Sequence, residues 1–285
     1  MLRPRRFTPY RRAVQALVAL FYLGLPLVNH LGFRSVAGNL ASLKLGPFDL
    51  AEPGAVFSAF VAAGKVTATA AVAALPVLAL ALTLGPVFCS WVCPWGFLSE
   101  GIDWLSVRVF RLHRPWRATG FRRLTLGRLA LLGIFLLGSW VLAAPLVALL
   151  APPRLLAALP QEVVYLGTAP RVTGALLLLW LFLELVLPRR FVCRALCPVG
   201  TLWNFLRTPK TLTVRFAPSL CVDPKVAPCH LHCPWGIDPR TMGTFDGCTN
   251  CLRCVEGCPS GALAVGFGRQ GRARKKPGSS PSSRP

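Results

Sequence analysis

Residues 248–259 read Cys248-Thr-Asn-Cys251-Leu-Arg-Cys254-Val-Glu-Gly-Cys258-Pro259. Three cysteines two residues apart, then a fourth three residues on and followed by proline, form the C-x2-C-x2-C-x3-C-P run that holds iron–sulfur cubes. The first three thiolates wrap one side of a cube. The fourth, just before the proline, turns away and ligates a partner cluster. A structural zinc site would instead pair two C-x2-C units across a longer spacer, so the run predicts iron.

A partner half lies upstream, Cys221-x7-Cys229-His230-Leu-His232-Cys233-Pro234, ending in the same C-x3-C-P. Exchange of the fourth ligands predicts one cluster on Cys248, Cys251, Cys254 and Cys233 and another on Cys221, Cys229 and Cys258. The second set is one cysteine short. Counting back in threes from Cys229 reaches Val226 and Asp223, where thiolates would stand in the regular motif. Either Asp223, His230 or His232 supplies the last bond, or the site holds [3Fe–4S], or the loop at Cys221 is rebuilt around a labile cluster. Both histidines also read as plain surface polar groups. From Thr208 the prolines rise and apolar runs vanish, so residues 208–265 are expected to form a small α+β domain of bacterial ferredoxin type, held together by inorganic matter in place of a sufficient core. Residues 266–285, rich in Gly, Ser, Pro and basic side chains, are expected to be a disordered tail near anionic lipid.

The rest of the chain has a different texture. With 32 basic and 10 acidic residues among 285, the formal charge is +22, yet charged residues make up only 15% and hydrophobic ones 54%. Mean hydropathy is +0.54. A nucleic-acid-binding domain is too polar to match this, a disordered chain lacks the apolar content, and a small disulfide scaffold is excluded by length. Oily composition with a cationic excess is the mark of an integral membrane protein whose arginines hold its cytoplasmic loops.

Ala13–Phe33, Val66–Phe88, Gly127–Leu150 and Val172–Pro188 are the apolar stretches that approach the length of about 20 residues a spanning helix needs. No small-residue cleavage site follows the first, which therefore reads as an anchor and not a cleaved signal. Arg3, Arg5, Arg6, Arg11 and Arg12 precede it. Arg108, Arg111, Arg114, Arg117, Arg122 and Arg123 lie between spans two and three, and Arg189, Arg190 and Arg194 follow span four. The 34–65 and 151–171 loops are thinly basic. The expected protein is thus a multi-pass protein of the cytoplasmic (inner) membrane: a basic N-terminus at 1–12, a four-helix membrane domain at 13–207, and both termini and every cysteine on the reducing cytoplasmic side.

That membrane domain reads as two tandem repeats. Cys89-Ser-Trp-Val-Cys93-Pro94-Trp-Gly96-Phe-Leu98 and Cys193-Arg-Ala-Leu-Cys197-Pro198-Val-Gly200-Thr-Leu202 share Cys, Cys, Pro, Gly and Leu at equal offsets, each where a span emerges. In a helix the two cysteines of each copy would share one face. Cys89, Cys93, Cys193 and Cys197 could then meet and bind a cluster or a single metal, or cycle as dithiols. The alternative is buried free cysteine. The segments after each copy, Trp104 to Leu112 and Leu202 to Leu206, could lie flat at the membrane surface or be ordinary loops with a few buried aromatics. Inside the spans, His30 beside Asn29 is a candidate acceptor of a quinol proton or an interfacial histidine, and Glu184 a proton-path residue or the partner of Arg189 or Arg190. No second intramembrane histidine accompanies His30, which argues against haem b.

At these residues the chain resembles the NapH-like polyferredoxin family of membrane proteins. The likeness rests on both signatures, on Pro209 to Val214, and on the seven-cysteine domain, where Asp223 and Val226 depart from the pattern. The resemblance implies electron transfer from membrane quinol through [4Fe–4S] clusters towards a periplasmic reductase chain, as a quinol dehydrogenase component and not a stand-alone enzyme. Another iron–sulfur or cytochrome subunit would be its partner, and no nucleic acid. Cys233-Pro-Trp-Gly-Ile-Asp-Pro-Arg240 resembles a copper-handling branch, so the alternative is a cluster-dependent copper reductase or assembly factor for a respiratory metalloenzyme.

Overall fold

A computed structural model of the chain describes residues 6–32, 35–109, 121–167, 169–187, 190–221, 228–243 and 246–268; at 107, 121–124, 228 and 230 the description stops at the backbone. Arg3, Arg5, Arg111, Arg114, Arg117, Arg189, Asp223, Val226 and the 269–285 part of the expected tail lie outside the described residues.

Helix α1 (Thr8–His30) starts with a proline in its first turn. A three-stranded antiparallel meander follows, β1 (Val36–Gly38), β2 (Ser42–Leu45) and β3 (Phe48–Ala51). Glu52 then caps α2 (Pro53–Ala63), its carboxylate accepting from the N–H of Gly54 at 3.0 Å and of Ala55 at 2.6 Å. Gly64, at φ 69°, ends α2 in the left-handed region that favours glycine. Next come α3 (Ala68–Leu84), the single turn α4 (Phe88–Trp91) and α5 (Pro94–Arg108). The second half runs α6 (Phe121–Val141), α7 (Leu146–Leu149), α8 (Pro152–Leu166) and α9 (Arg171–Val186), then a π-helical turn (Val192–Leu196) and α10 (Pro198–Phe205). In the final unit β4 (Leu212–Phe216) pairs antiparallel with β5 (Leu263–Phe267). Between them lie a 3-10 turn (Pro218–Leu220) and the short helices α11 (Pro228–Leu231) and α12 (Arg253–Glu256). Strand β5 runs two residues past the boundary expected at 265.

Several helices differ from the expected spans. Among the described residues α1 alone is long and apolar enough to cross a membrane by length and composition. Helices α3 and α9 have 17 and 16 residues, about 26 and 24 Å at 1.5 Å per residue, against a hydrocarbon core of about 30 Å. Gly85-Pro86 and the proline at 188 stop them, because a residue before proline avoids the helical region. The expected third span breaks at Val141: Ala143 is left-handed (φ 47°) and Ser139 Oγ accepts the Leu146 N–H at 3.0 Å. The loop expected at 151–171 is helix α8, opened by Pro152-Pro153 and closed by Gly167 at φ 61°. The segment at Leu202 to Leu206 is no surface strip either, since Trp203 is buried and donates to Glu52 at 2.9 Å.

Both signatures fold alike, and not as the regular helix expected. The Cys93 N–H donates to Phe88 O and the Cys197 N–H to Val192 O, each at 2.8 Å and five residues back, the span of a π turn. Proline then forces each second cysteine into an extended conformation, ψ 118° and 113°, so Cys93 and Cys197 become the N-caps of α5 and α10. The shared glycine packs on the first cysteine. A Cβ at Gly96 would lie 2.7 Å from Cys89 O, and one at Gly200 3.3 Å from Cys193 O.

Packing exchanges partners between the halves. Helix α1 lies on α8 and on α5, while α6 lies on α2 and on α10. The cysteine-rich unit docks onto this body through named bonds. Ser90 Oγ donates to Thr249 O, Trp91 Nε1 to Asn250 O at 3.1 Å, and Asn250 Nδ2 to Leu84 O at 3.2 Å. The Thr8 backbone N–H donates to Glu256 at 2.6 Å. Beneath them Glu100 is ringed by Arg11, by Arg190 at 2.7 Å, by Arg12 at 3.3 Å and by Arg253 at 3.4 Å.

Burial would raise the Glu100 carboxyl, but Arg190, Arg253 and Arg11 outweigh it and hold it down at about 2. Its stabilising contribution is therefore complete above the ordinary carboxyl range and is lost as pH falls towards 2. Glu100→Gln is expected to cost about 3–5 kcal/mol, because it strands buried guanidinium groups. Melting curves in detergent should show the gap between wild type and variant closing as the pH is lowered; a gap that persists at pH 2 refutes the assignment. Gly96→Ala should cost about 1–3 kcal/mol by overpacking against backbone and Gly200→Ala less, a ranking the same melting curves would check.

Candidate metal centres

Two cavities are lined by cysteine. The first, within the small unit, is bounded by Cys233, Cys248, Cys251 and Cys254 and closed by Val214, Trp235, Ile237, Met242 and Leu252. Asn250 (φ 53°) and Leu252 (φ 61°) hold the loop in a left-handed conformation rarely adopted by a leucine. Asn250 Nδ2 also donates to Leu212 O at 2.7 Å, which fixes the loop to β4. The Ile237 N–H donates to Cys233 Sγ at 3.4 Å, and Arg207 Nη1 reaches Cys248 O at 3.3 Å. Burial, then the neighbouring Cys251, pushes the Cys233 thiol up to about 12, and burial raises Cys248 and Cys254 as well. Buried thiols that oppose each other's ionisation become ligands when a cation supplies the missing charge. Four sulfurs in an apolar pocket fit an iron–sulfur cluster by donor chemistry.

The second cavity lies where the two signatures meet. Cys89, Cys93, Cys193 and Cys197 line it together with Trp95, Arg128, Arg194, Trp235 and Thr249. Burial, followed by the neighbouring thiols, raises Cys89 well above the ordinary range. Burial, then Glu184 and those thiols, does the same for Cys193. Cys93 is pushed up to about 12 and Cys197 to about 11, both by burial first. The Gly200 N–H offsets part of this at Cys197, 3.5 Å from its sulfur. Arg128, near the start of α6, turns inward and donates to Gly200 O at 3.4 Å. Among the described residues no three His, Cys, Asp or Glu side chains converge tightly enough for one metal ion.

The remaining cysteines are less fully described. Cys229 is buried in the core of the small unit, with Cys258 packed against that core and Cys221 half-buried. Arg240 interacts electrostatically with both Cys229 and Cys221. Asp223, Val226 and the His230 side chain lie outside the described residues. His232 lies against the backbone before Cys258, since a Cβ on Gly257 would sit 2.6 Å from its Cγ.

Outside the cavities, Glu184 is buried and accepts from Ser99 Oγ, while Arg190 is bound to Glu100. His30 ends α1 and is exposed. The sequence reading counted Arg11, Arg12 and Arg190 as topology markers and passed over Glu100. The available signal was a pair of acidic residues, Glu100 and Asp103, in a segment otherwise largely apolar and basic.

A family model described as a 4Fe-4S binding domain matches residues 66–113 and 171–211, the two segments that carry the signatures. A methylamine utilization ferredoxin-type protein, MauN of Methylorubrum extorquens, is 30% identical over 264 residues, 90% of this chain and 76% of that protein. The ferredoxin-type protein NapH of Escherichia coli is 28% identical over 283 residues, 92% of this chain and 90% of its own. A putative electron transport protein, YccM of Escherichia coli, is 30% identical over 202 residues; the chain spans 51% of its length. No solved structure matches. With two sulfur-lined cavities and a matching iron–sulfur domain, the chain belongs to the NapH-like family of ferredoxin-type iron–sulfur electron-transfer proteins.

Proposed function

We propose that this protein takes electrons from membrane quinol and passes them through its cysteine-held clusters towards a respiratory, periplasmic reductase chain. The observation that carries the reading is the junction: four thiols from two signatures line one cavity, and Ser90 and Trp91 of the first signature bond directly to Thr249 and Asn250 of the cysteine run. In this reading Cys233, Cys248, Cys251 and Cys254 hold one [4Fe–4S] cluster. Cys221, Cys229 and Cys258 belong to a second, whose last ligand comes from the stretch between Asp223 and His232 or which is [3Fe–4S]. Cys89, Cys93, Cys193 and Cys197 hold a third. Each bound cluster supplies one-electron redox chemistry. The chain's own residues do the rest: apolar walls exclude water, Arg128 and Arg194 set positive charge beside the sulfurs, and the first turns of α5 and α10 aim N–H groups at Cys93 and Cys197.

The membrane arrangement belongs to the same proposal. Helices α1, α3, α6 and α9 cross a bilayer of the inner membrane with both termini in the cytoplasm, as two repeats, the short α3 and α9 being met by local thinning of the bilayer. The exchange of packing partners between the halves supports the duplication. The lipid-facing role of α1 is supported by exposed Leu17, Leu20, Phe21, Leu23, Leu27 and Val28. The domain limits are those read from the sequence, 1–12, 13–207, 208–265 and 266–285, with β5 extending slightly into the last. A separate iron–sulfur or cytochrome subunit accepts the electrons.

Anaerobically purified protein should contain about twelve irons per chain, or about eleven with one three-iron site. About eight, unchanged by Cys197→Ser, would remove the third cluster from the proposal. Cys251→Ser should abolish one [4Fe–4S] electron paramagnetic resonance signal. Membrane vesicles carrying the protein should bleach on adding quinol. Copper reduction without quinol oxidation would instead establish the metal-handling alternative.

A further inference from the structure

Trp235 stands in the wall between the two sulfur cavities. It lines the pocket of Cys233, Cys248, Cys251 and Cys254 and also the cavity of Cys89, Cys93, Cys193 and Cys197. The residue is 5% exposed, and its indole Nε1–H is buried with no acceptor among the described residues. Such a group is costly unless something accepts its hydrogen; no cysteine sulfur lining the two cavities does so, which leaves the inorganic sulfide that a bound cluster would bring. Two further contacts hold the ring. Arg194, from between the cysteines of the second signature, donates to the Trp235 carbonyl. The Arg190 guanidinium sits 5.8 Å from the ring centroid, and it interacts electrostatically with Cys251 of one site and Cys193 of the other.

We infer that Trp235 is the positioning residue that joins the two clusters electronically: its indole is the packed matter through which an electron crosses, and its N–H donates to a sulfur of one of them. The inference rests on the proposal that both cavities hold clusters. In the crossing one cluster is oxidised and the other reduced by a single electron. No bond forms or breaks, no proton moves, and the indole ends as it began. Arg190, fixed on the ring by Glu100, sets positive charge between the sites and favours the more negative, reduced state at either one.

The test uses the full chain in detergent or nanodiscs, reconstituted anaerobically, with iron and sulfide counted first. Trp235→Phe keeps a ring and removes the N–H; Trp235→Leu removes the ring. Redox titration followed by paramagnetic resonance should show one midpoint potential falling in Trp235→Phe, because a hydrogen bond to sulfur that stabilises the reduced cluster is gone. The other potential should stay, and so should the magnetic interaction between the reduced clusters. After rapid photoreduction, electron equilibration between the two sites should slow in Trp235→Leu and stay close to wild type in Trp235→Phe. Full iron content with unmoved potentials in Trp235→Phe would overturn the donor role, and unchanged equilibration in Trp235→Leu the bridging role. If Trp235→Leu fails to retain iron, equilibration is read in Trp235→Met, which also lacks the ring but fills more of its space, with the same expected slowing and the same overturning result. Iron content unaffected by Cys197→Ser would overturn the inference together with the proposal it rests on, an outcome recognisable before any Trp235 variant is made.

Discussion

One buried carboxylate binds together parts of the chain that are far apart in sequence. Glu100 of α5 meets Arg11 and Arg12 of α1, Arg190 just before the second signature, and Arg253 inside the cysteine run. A lone anion among four cations, of which Arg11, Arg190 and Arg253 are largely buried and Arg12 is half exposed, leaves surplus positive charge in the interior, which is costly unless further negative charge arrives nearby. The cysteines around it supply the complement. As thiols they are neutral; holding iron they form assemblies of net negative charge beside Arg190 and Arg253. Ion pairing and metal binding are thus coupled in sign: the arginine excess favours the ionised ligands, and the ionised ligands relieve the excess.

The paired signatures show how little sequence is needed to build such a chamber. In each, a π turn sets the first cysteine, proline swings the second out to cap a new helix, and glycine lets that helix close on the first cysteine's carbonyl. Two copies facing each other bring four sulfurs to a shared cavity without any one segment carrying more than two. The family match falls on these same two segments.

Motif spacing was readable because it is local. The grouping of Cys233 with Cys248, Cys251 and Cys254 followed from C-x3-C-P, and the equal offsets at Cys89 and Cys193 stood out unaided. The inward turn of Arg128, the Glu100 ring and the shared wall at Trp235 are contacts between residues tens to hundreds of positions apart, and no local periodicity encodes them. Helix α8 lies where the sequence shows only a thinly basic stretch between apolar segments, although Pro152-Pro153 at its first turn are able to start a helix. The π turns were missed for a related reason: two cysteines four apart match an α-helical face, and only the proline that follows, by excluding the helical region for Cys93 and Cys197, breaks that geometry.

The bond from the Thr8 backbone to Glu256 joins the first helix to nearly the last folded segment, 248 residues later. A ribosome releases these partners in the order least suited to their meeting. Helix α1 is synthesised first and must wait, its first turn lacking its acceptor, until the cysteine-rich end emerges. Because Glu256 lies between Cys254 and Cys258, the loop that completes the first helix is the cysteine loop proposed above to hold iron. On the proposed assignment, chain closure and metal loading fall on the same few residues.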